Sequence, residues 1–211
     1  MTRFFTVLIF VCGAALSAHG QQHRFGSWNS VVLKHDLNKK WSVNLDQTVR
    51  AYPLQPAHET QWLTEVGIAR ELGKKFALSP GYRFSFRHTN HAHRLFVDLA
   101  YQERPGDFQL TDRVRYLYQW DRYGETSQYV RNKLTVKYRK PKKFTPLVAG
   151  ELFYRLGFGQ HFIDQYRAFI GTDYNVNKQL GLSFQLMRER EIQVRNPTTS
   201  DVLQLELEYE F

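Results

Sequence analysis

The chain has 211 residues, room for one substantial domain or two small ones, with 42% hydrophobic residues and a formal charge of +9. Its mean hydropathy of −0.51 excludes a protein built from apolar membrane-spanning helices. Its single cysteine excludes an internal disulfide framework and a cysteine-based metal site.

Residues 1–20 read as a signal peptide. Arg3 supplies a basic start, "FFTVLIFVCGAAL" at 4–16 is an apolar run of the right length, and Ala18 and Gly20 offer small residues before a cut at Gln21. The run is too short to cross a bilayer as a helix. Cleavage removes Cys12 and takes Arg3 from the 29 basic residues, which leaves 28 against 20 acidic ones, near +8. In a soluble protein that balance suggests nucleic acid or an acidic surface as partner. Its meaning changes if the charges point into an enclosed space.

The mature part, 21–211, is expected to be one domain. Period-two alternation dominates it. "WSVNLDQTVRAY" sets Trp41, Val43, Leu45, Val49 and Ala51 on one face against Ser42, Asn44, Asp46, Thr48 and Arg50. "FALSPGYRFSF" at 76–86, "VRNKLTVKY" at 130–138 and "VLQLELEYEF" at 202–211 alternate in the same way. About eleven such segments are legible, at 28–37, 41–52, 61–72, 76–87, 93–104, 108–120, 127–140, 144–155, 165–176, 179–193 and 202–211. Most run to about ten to fourteen residues, where strands of soluble proteins average about five or six and a tilted membrane strand needs about nine to eleven.

The connections alternate too. Short turns at 38–40, 73–75, 105–106, 141–143 and 177–178 interleave with longer polar loops at 53–60, 88–93, 121–127, 157–164 and 195–201. That is the plan of an antiparallel transmembrane β-barrel with its short turns periplasmic. Trp28, Trp41, Trp62, Tyr82, Tyr116, Tyr118, Trp120, Tyr154, Tyr174 and Tyr209 lie near segment ends and suit two interfacial girdles. Bacterial single-chain barrels have even strand numbers. Twelve strands are therefore expected, with ten next. Segment 28–37 runs into a short turn, so it starts on the loop rim.

The chain resembles the outer-membrane β-barrel family filed as domain of unknown function 2490. The resemblance rests on "FGSW" at 25–28, "LNKKWSVNL" at 37–45, "SPGYRF" at 79–84, "HRLFVDLAY" at 93–101, "FQLTDRVRY" at 108–116, "ELFY" at 151–154, "DQYRAFIGTDY" at 164–174 and "LQLELEYEF" at 203–211. Ala92-His93-Arg94 stands where the family pattern usually has Glu-His-Arg. The resemblance implies a barrel in a Gram-negative outer membrane and supplies no established activity. The partners to expect are outer-membrane lipid and, through the segment ending in Phe211, the barrel-assembly machinery.

The polar faces then line the lumen. They present Asp46, Arg50, Glu65, Arg83, Arg94, Asp98, Arg113, Arg115, Arg131, Glu151, Arg167, Asp173, Gln185 and Glu189. A narrow barrel must fill its interior with such side chains, and enclosed charges need partners. A guanidinium–carboxylate network centred on Arg94, Arg113, Arg115, Glu151 and Arg167 is expected, as a plug or as a filter for a solute the sequence does not identify. The turn lysines Lys39, Lys40, Lys74, Lys75, Lys142 and Lys143 are not interleaved with exposed aromatics, which argues against nucleic acid.

No phosphate loop, dinucleotide fingerprint or zinc pattern occurs, so no cofactor or metal is expected. His88, His91 and His93 sit in one polar stretch without a carboxylate; His88 and His91 read as loop residues, and His93 begins the next strand with Arg94, which alone faces inward. No nucleophile turn marks a hydrolase, and no catalytic residue is expected. The function to expect is a structural barrel or a narrow channel with a charged, largely plugged lumen. A periplasmic lipocalin-like binding barrel and an outer-membrane hydrolase are the alternatives.

Overall fold

Alternation sustained over a dozen residues gives each strand one apolar and one polar face, and the sheet must place those faces in different surroundings. In the computed structural model, which describes residues 22–53, 59–140, 143–157, 161–194 and 196–211, the sheet does so by closing on itself. Residues 1–20, read as the signal peptide, lie outside the described residues, as does Lys142.

The strands are β1 (Gln22–Asp36), β2 (Trp41–Tyr52), β3 (Glu59–Leu72), β4 (Phe76–Arg87), β5 (Asn90–Glu103), β6 (Phe108–Asp121), β7 (Thr126–Tyr138), β8 (Phe144–Leu156), β9 (His161–Asn175), β10 (Leu180–Glu191) and β11 (Thr198–Glu210). Each pairs antiparallel with its neighbour in sequence, and β1 closes the wall against β11. The closed barrel thus has eleven strands, a correction to the expected twelve. An odd number of up-and-down strands leaves the first and last running the same way. The closing ladder is accordingly parallel, from Gln22–Thr198 to Lys34–Glu210, and it leaves no gap for a twelfth strand.

The rims also differ from the sequence expectation. The connections on the expected loop side are residues 53–58, 88–89, 122–125, 157–160 and 192–197, hardly longer than those opposite. Backbone pairing does not require apolar side chains, so polar strand ends continue the ladder. Phe86 pairs with His91 and Ala92 with Asp121. Only His88 and Thr89 remain as the β4–β5 turn. His91 and His93 are strand residues on the outer wall, where His93 stacks on Trp120 and is hydrogen-bonded to the Tyr82 hydroxyl at 2.6 Å.

Two residues of "SPGYRF" shape the wall. Pro80 has no N–H to give, and the β3–β4 register passes from Gly67–Gly81 to Arg70–Leu78 across it. Gly81 faces the lumen under the Phe96 ring, and a Cβ there would stand 2.2 Å from Phe96 Cζ.

The two surfaces have opposite chemistry. Trp62 (52% exposed), Leu95 (52%), Ile170 (61%) and Leu186 (53%) point outward, among similar apolar residues from most strands. Inward lie Glu65, Asp98, Arg115, Arg131 and Glu151, all buried. Trp28 is a correction to the girdle expectation. It faces the lumen, buried against Phe169, Met187 and Val202, because it shares the register face of Arg50 and Gln204.

Candidate functional site in the lumen

Cross-strand register brings opposite charges face to face. Glu65 of β3 stands opposite Arg83 of β4, Asp98 of β5 opposite Arg115 of β6, and Arg167 of β9 between Glu151 of β8 and Glu189 of β10. Side chains directly opposite on one face lie about 4.5–5.5 Å apart at Cβ, within reach of a guanidinium fork.

Two clusters result. In the first, Arg115 donates from Nε to Asp98 at 2.6 Å and reaches across to Glu65 at 3.2 Å. Arg83 donates to the same Glu65 at 2.6 Å, and Arg113 lies at the edge, 3.9 Å from Asp98. The Arg115 guanidinium rests on the Phe96 ring, 3.8 Å from its centroid. Gly81 therefore serves this cluster: it leaves space for the ring that supports the arginine.

In the second cluster, Glu151 accepts from Arg131 at 2.5 Å and from Arg167 at 3.2 Å. Arg167 also donates to Glu189 at 2.6 Å. The Phe153 ring lies beneath both arginines, at 4.6 Å and 4.4 Å. Arg131 is the register neighbour of Arg115, so the clusters adjoin. Together they set Arg83, Arg115, Arg131 and Arg167 against Glu65, Asp98, Glu151 and Glu189, one carboxylate for each guanidinium. Removing one member of such a buried set costs about 3–5 kcal/mol, because the partner stays behind uncompensated.

Of the residues expected from sequence to form one network, Arg115 lies in the first cluster and Glu151 and Arg167 in the second. Arg113 is peripheral. Arg94 is in neither: its guanidinium donates to the neutral Gln119 amide, 3.1 Å from Nε. Glu65, Arg83, Asp98, Arg131 and Glu189 were legible as inward-facing but not as members of the central set. Hairpin register, counted from the turns, would have found the Glu65–Arg83 and Asp98–Arg115 pairs.

Around these clusters the lumen holds several spaces that share lining residues. A central cavity of about 320 Å³ is lined from every strand except β5. Arg50 and Arg83 also line a cavity of about 400 Å³ at the loop rim. Gln185 leads the other way, to a space of about 310 Å³, and from there Lys137 leads to one of about 290 Å³ at the short-turn rim. Among the described residues, no group of three or more His, Cys, Asp or Glu side chains is placed to hold a metal ion.

A family model described as "Protein of unknown function (DUF2490)" matches residues 25–199. The chain belongs to the DUF2490 family. No curated protein matches it. Among solved structures this DUF2490 barrel is similar to a NanC porin at 13% identity, with a TM-score of 0.57 over 88% of this chain and 97% of that one. It is also similar to a KdgM porin in complex with disordered oligogalacturonate, at 13% identity, with a TM-score of 0.54 over 85% of this chain and 90% of that one. At that identity the likeness is one of fold. The DUF2490 barrel thus shares its closed architecture with porins, and its lumen is described by its own residues.

Proposed function

We propose that this DUF2490 barrel sits in the outer membrane as a non-enzymatic, narrow channel whose passage is throttled at mid-height by the two ion-pair clusters. The observation that carries the reading is the inversion of the wall. Apolar side chains cover the outside and charges the inside, the reverse of what a water-soluble binding barrel needs. Contiguous exposed apolar surface beyond a few hundred Å² is not tolerated in water and is the normal state in lipid. The strands, at 12 to 15 residues, exceed the nine to eleven or so that a tilted crossing requires. The porin-like fold supports the same reading. The succession of lumen spaces from rim to rim, each sharing lining residues with the next, supports a path, and the paired clusters support its narrowness.

The test is planar-bilayer conductance of the refolded protein. Wild type should give small currents, and Arg115→Ala/Arg167→Ala should conduct clearly better. Unboiled protein should also migrate differently from boiled protein on SDS gels. A mature chain that stays soluble without detergent and shows no such shift would sink the proposal.

A further inference from the structure

At mid-height every guanidinium of the two clusters has a carboxylate. At the loop rim this ceases. The cavity of about 400 Å³ there is lined by Arg50, Arg83, Arg87 and Arg94. Arg83 is committed to Glu65. Arg87 and Arg94 donate to the neutral amide oxygens of Gln61 and Gln119. Arg50 lies flat over Trp28, 3.7 Å from the ring centroid, and its Nε is buried with no partner. The carboxylate lining the cavity, Asp121, is taken up by the β6–β7 turn: it accepts from the backbone N–H groups of Tyr123 at 2.9 Å and Glu125 at 3.0 Å. Among the described residues Arg50, Arg87 and Arg94 thus line this space without an ion-pair contact to a carboxylate; Arg87 is exposed, so the cost of the empty site falls on the half-buried Arg50 and Arg94.

One acceptor is also left open. Asn90 lines the same cavity, and its Oδ1 is buried and makes no hydrogen bond among the described residues. Its orientation is set by its own amide, since Nδ2 donates to Asp121 at 3.2 Å. The cavity therefore presents forked cationic donors, and a small turn of the Asn90 side chain adds one neutral acceptor. An oxyanion satisfies the first and a hydroxyl group the second. The volume lies at the small end of ligand pockets, about 300–1,000 Å³.

We infer that the loop-rim mouth of the lumen, through Arg50, Arg87, Arg94 and Asn90, binds small hydroxylated oxyanions of the hydroxy-acid or acidic-sugar type. The inference rests on the channel reading only for the side from which the solute arrives. Guanidinium forks hold carboxylate, sulfate or phosphate groups, and Asn90 selects those that also carry a hydroxyl.

Isothermal titration of the full refolded barrel in detergent tests this with three probes: glucuronate, glucose and inorganic sulfate. Glucuronate should bind saturably and glucose should not. Arg50→Gln/Arg94→Gln should weaken glucuronate by about tenfold or more. Asn90→Ala should weaken glucuronate and leave sulfate unchanged. The heat-dependent gel shift reports whether each variant is folded. If the double variant does not fold, Arg87→Gln at the rim serves instead, with an expected loss of about threefold. Absence of saturable glucuronate binding, equal binding of glucose, or full retention in the folded variants would overturn the site. Equal effects of Asn90→Ala on glucuronate and sulfate would overturn the hydroxyl contact. Binding without conductance would sink the channel and leave the site; conductance without binding would do the reverse.

Discussion

The two ends of the lumen are built from the same strands and differ in how their charges are met. At the loop rim, Arg87 and Arg94 face amides and Arg50 faces an indole. At the short-turn rim, Lys34 and Lys137 are already engaged by Glu210 and Asp173, each at 2.8 Å or less. Glu206 and Glu208 line that vestibule with Lys178, and none of the three makes an ion pair among the described residues. The ion-paired middle separates a mouth lined by arginines without carboxylate partners from a vestibule that holds Glu206 and Glu208. Such an order does more than neutralise: an anion is attracted at one end and opposed at the other, so the barrel should hold anions better than it passes them.

Three variants test that contrast. The largest effect should come from giving the middle the character of the mouth. Glu151→Gln leaves Arg131 and Arg167 without their shared carboxylate, and urea unfolding in lipid vesicles should lose about 3–5 kcal/mol. A loss below about 1 kcal/mol would mean that lumen water screens the cluster as at an open surface. Next comes reversal of the mouth. Arg50→Glu/Arg94→Glu should move the reversal potential in a KCl gradient from anion preference toward cation preference. An unchanged potential would place the selectivity elsewhere. The smallest effect should follow neutralisation of the exit: Glu206→Gln/Glu208→Gln should make the current–voltage curve more symmetric. The change should shrink as salt is raised toward 1 M, where the Debye length falls to about 3 Å.

The fold was legible because alternation is a local signal. Each of the eleven segments overlaps a strand, and the face assignments of Asp46, Arg50, Glu65, Arg83 and Asp98 follow from period two alone. The errors arose where side-chain chemistry was taken to speak for the backbone. His91 and His161 are polar yet paired, so β5 and β9 begin earlier than the polar stretches around them suggest. The count of twelve came from a parity rule for barrels, not from a residue. For the lumen, inward direction could be read and partnership could not, because partnership depends on register across different strands. Arg94 shows the limit: its inward direction was correct, but its neighbours proved to be Arg83 and Gln119.

The parallel seam carries a consequence for how the molecule is made. Every other ladder is a hairpin or near-hairpin that forms between adjacent segments. Lys34 and Glu210, joined across the seam at 2.8 Å, are 176 residues apart. Bringing such distant segments together costs about 2.5 kcal/mol more chain entropy than closing a ten-residue hairpin. Ten local pairings therefore come at small entropic cost, and the eleventh turns an open, curling sheet with two bare edges into a cylinder. Until then both edges offer unpaired N–H and C=O groups to any neighbour. Closing that seam is what ends the chain's exposure to wrong partners.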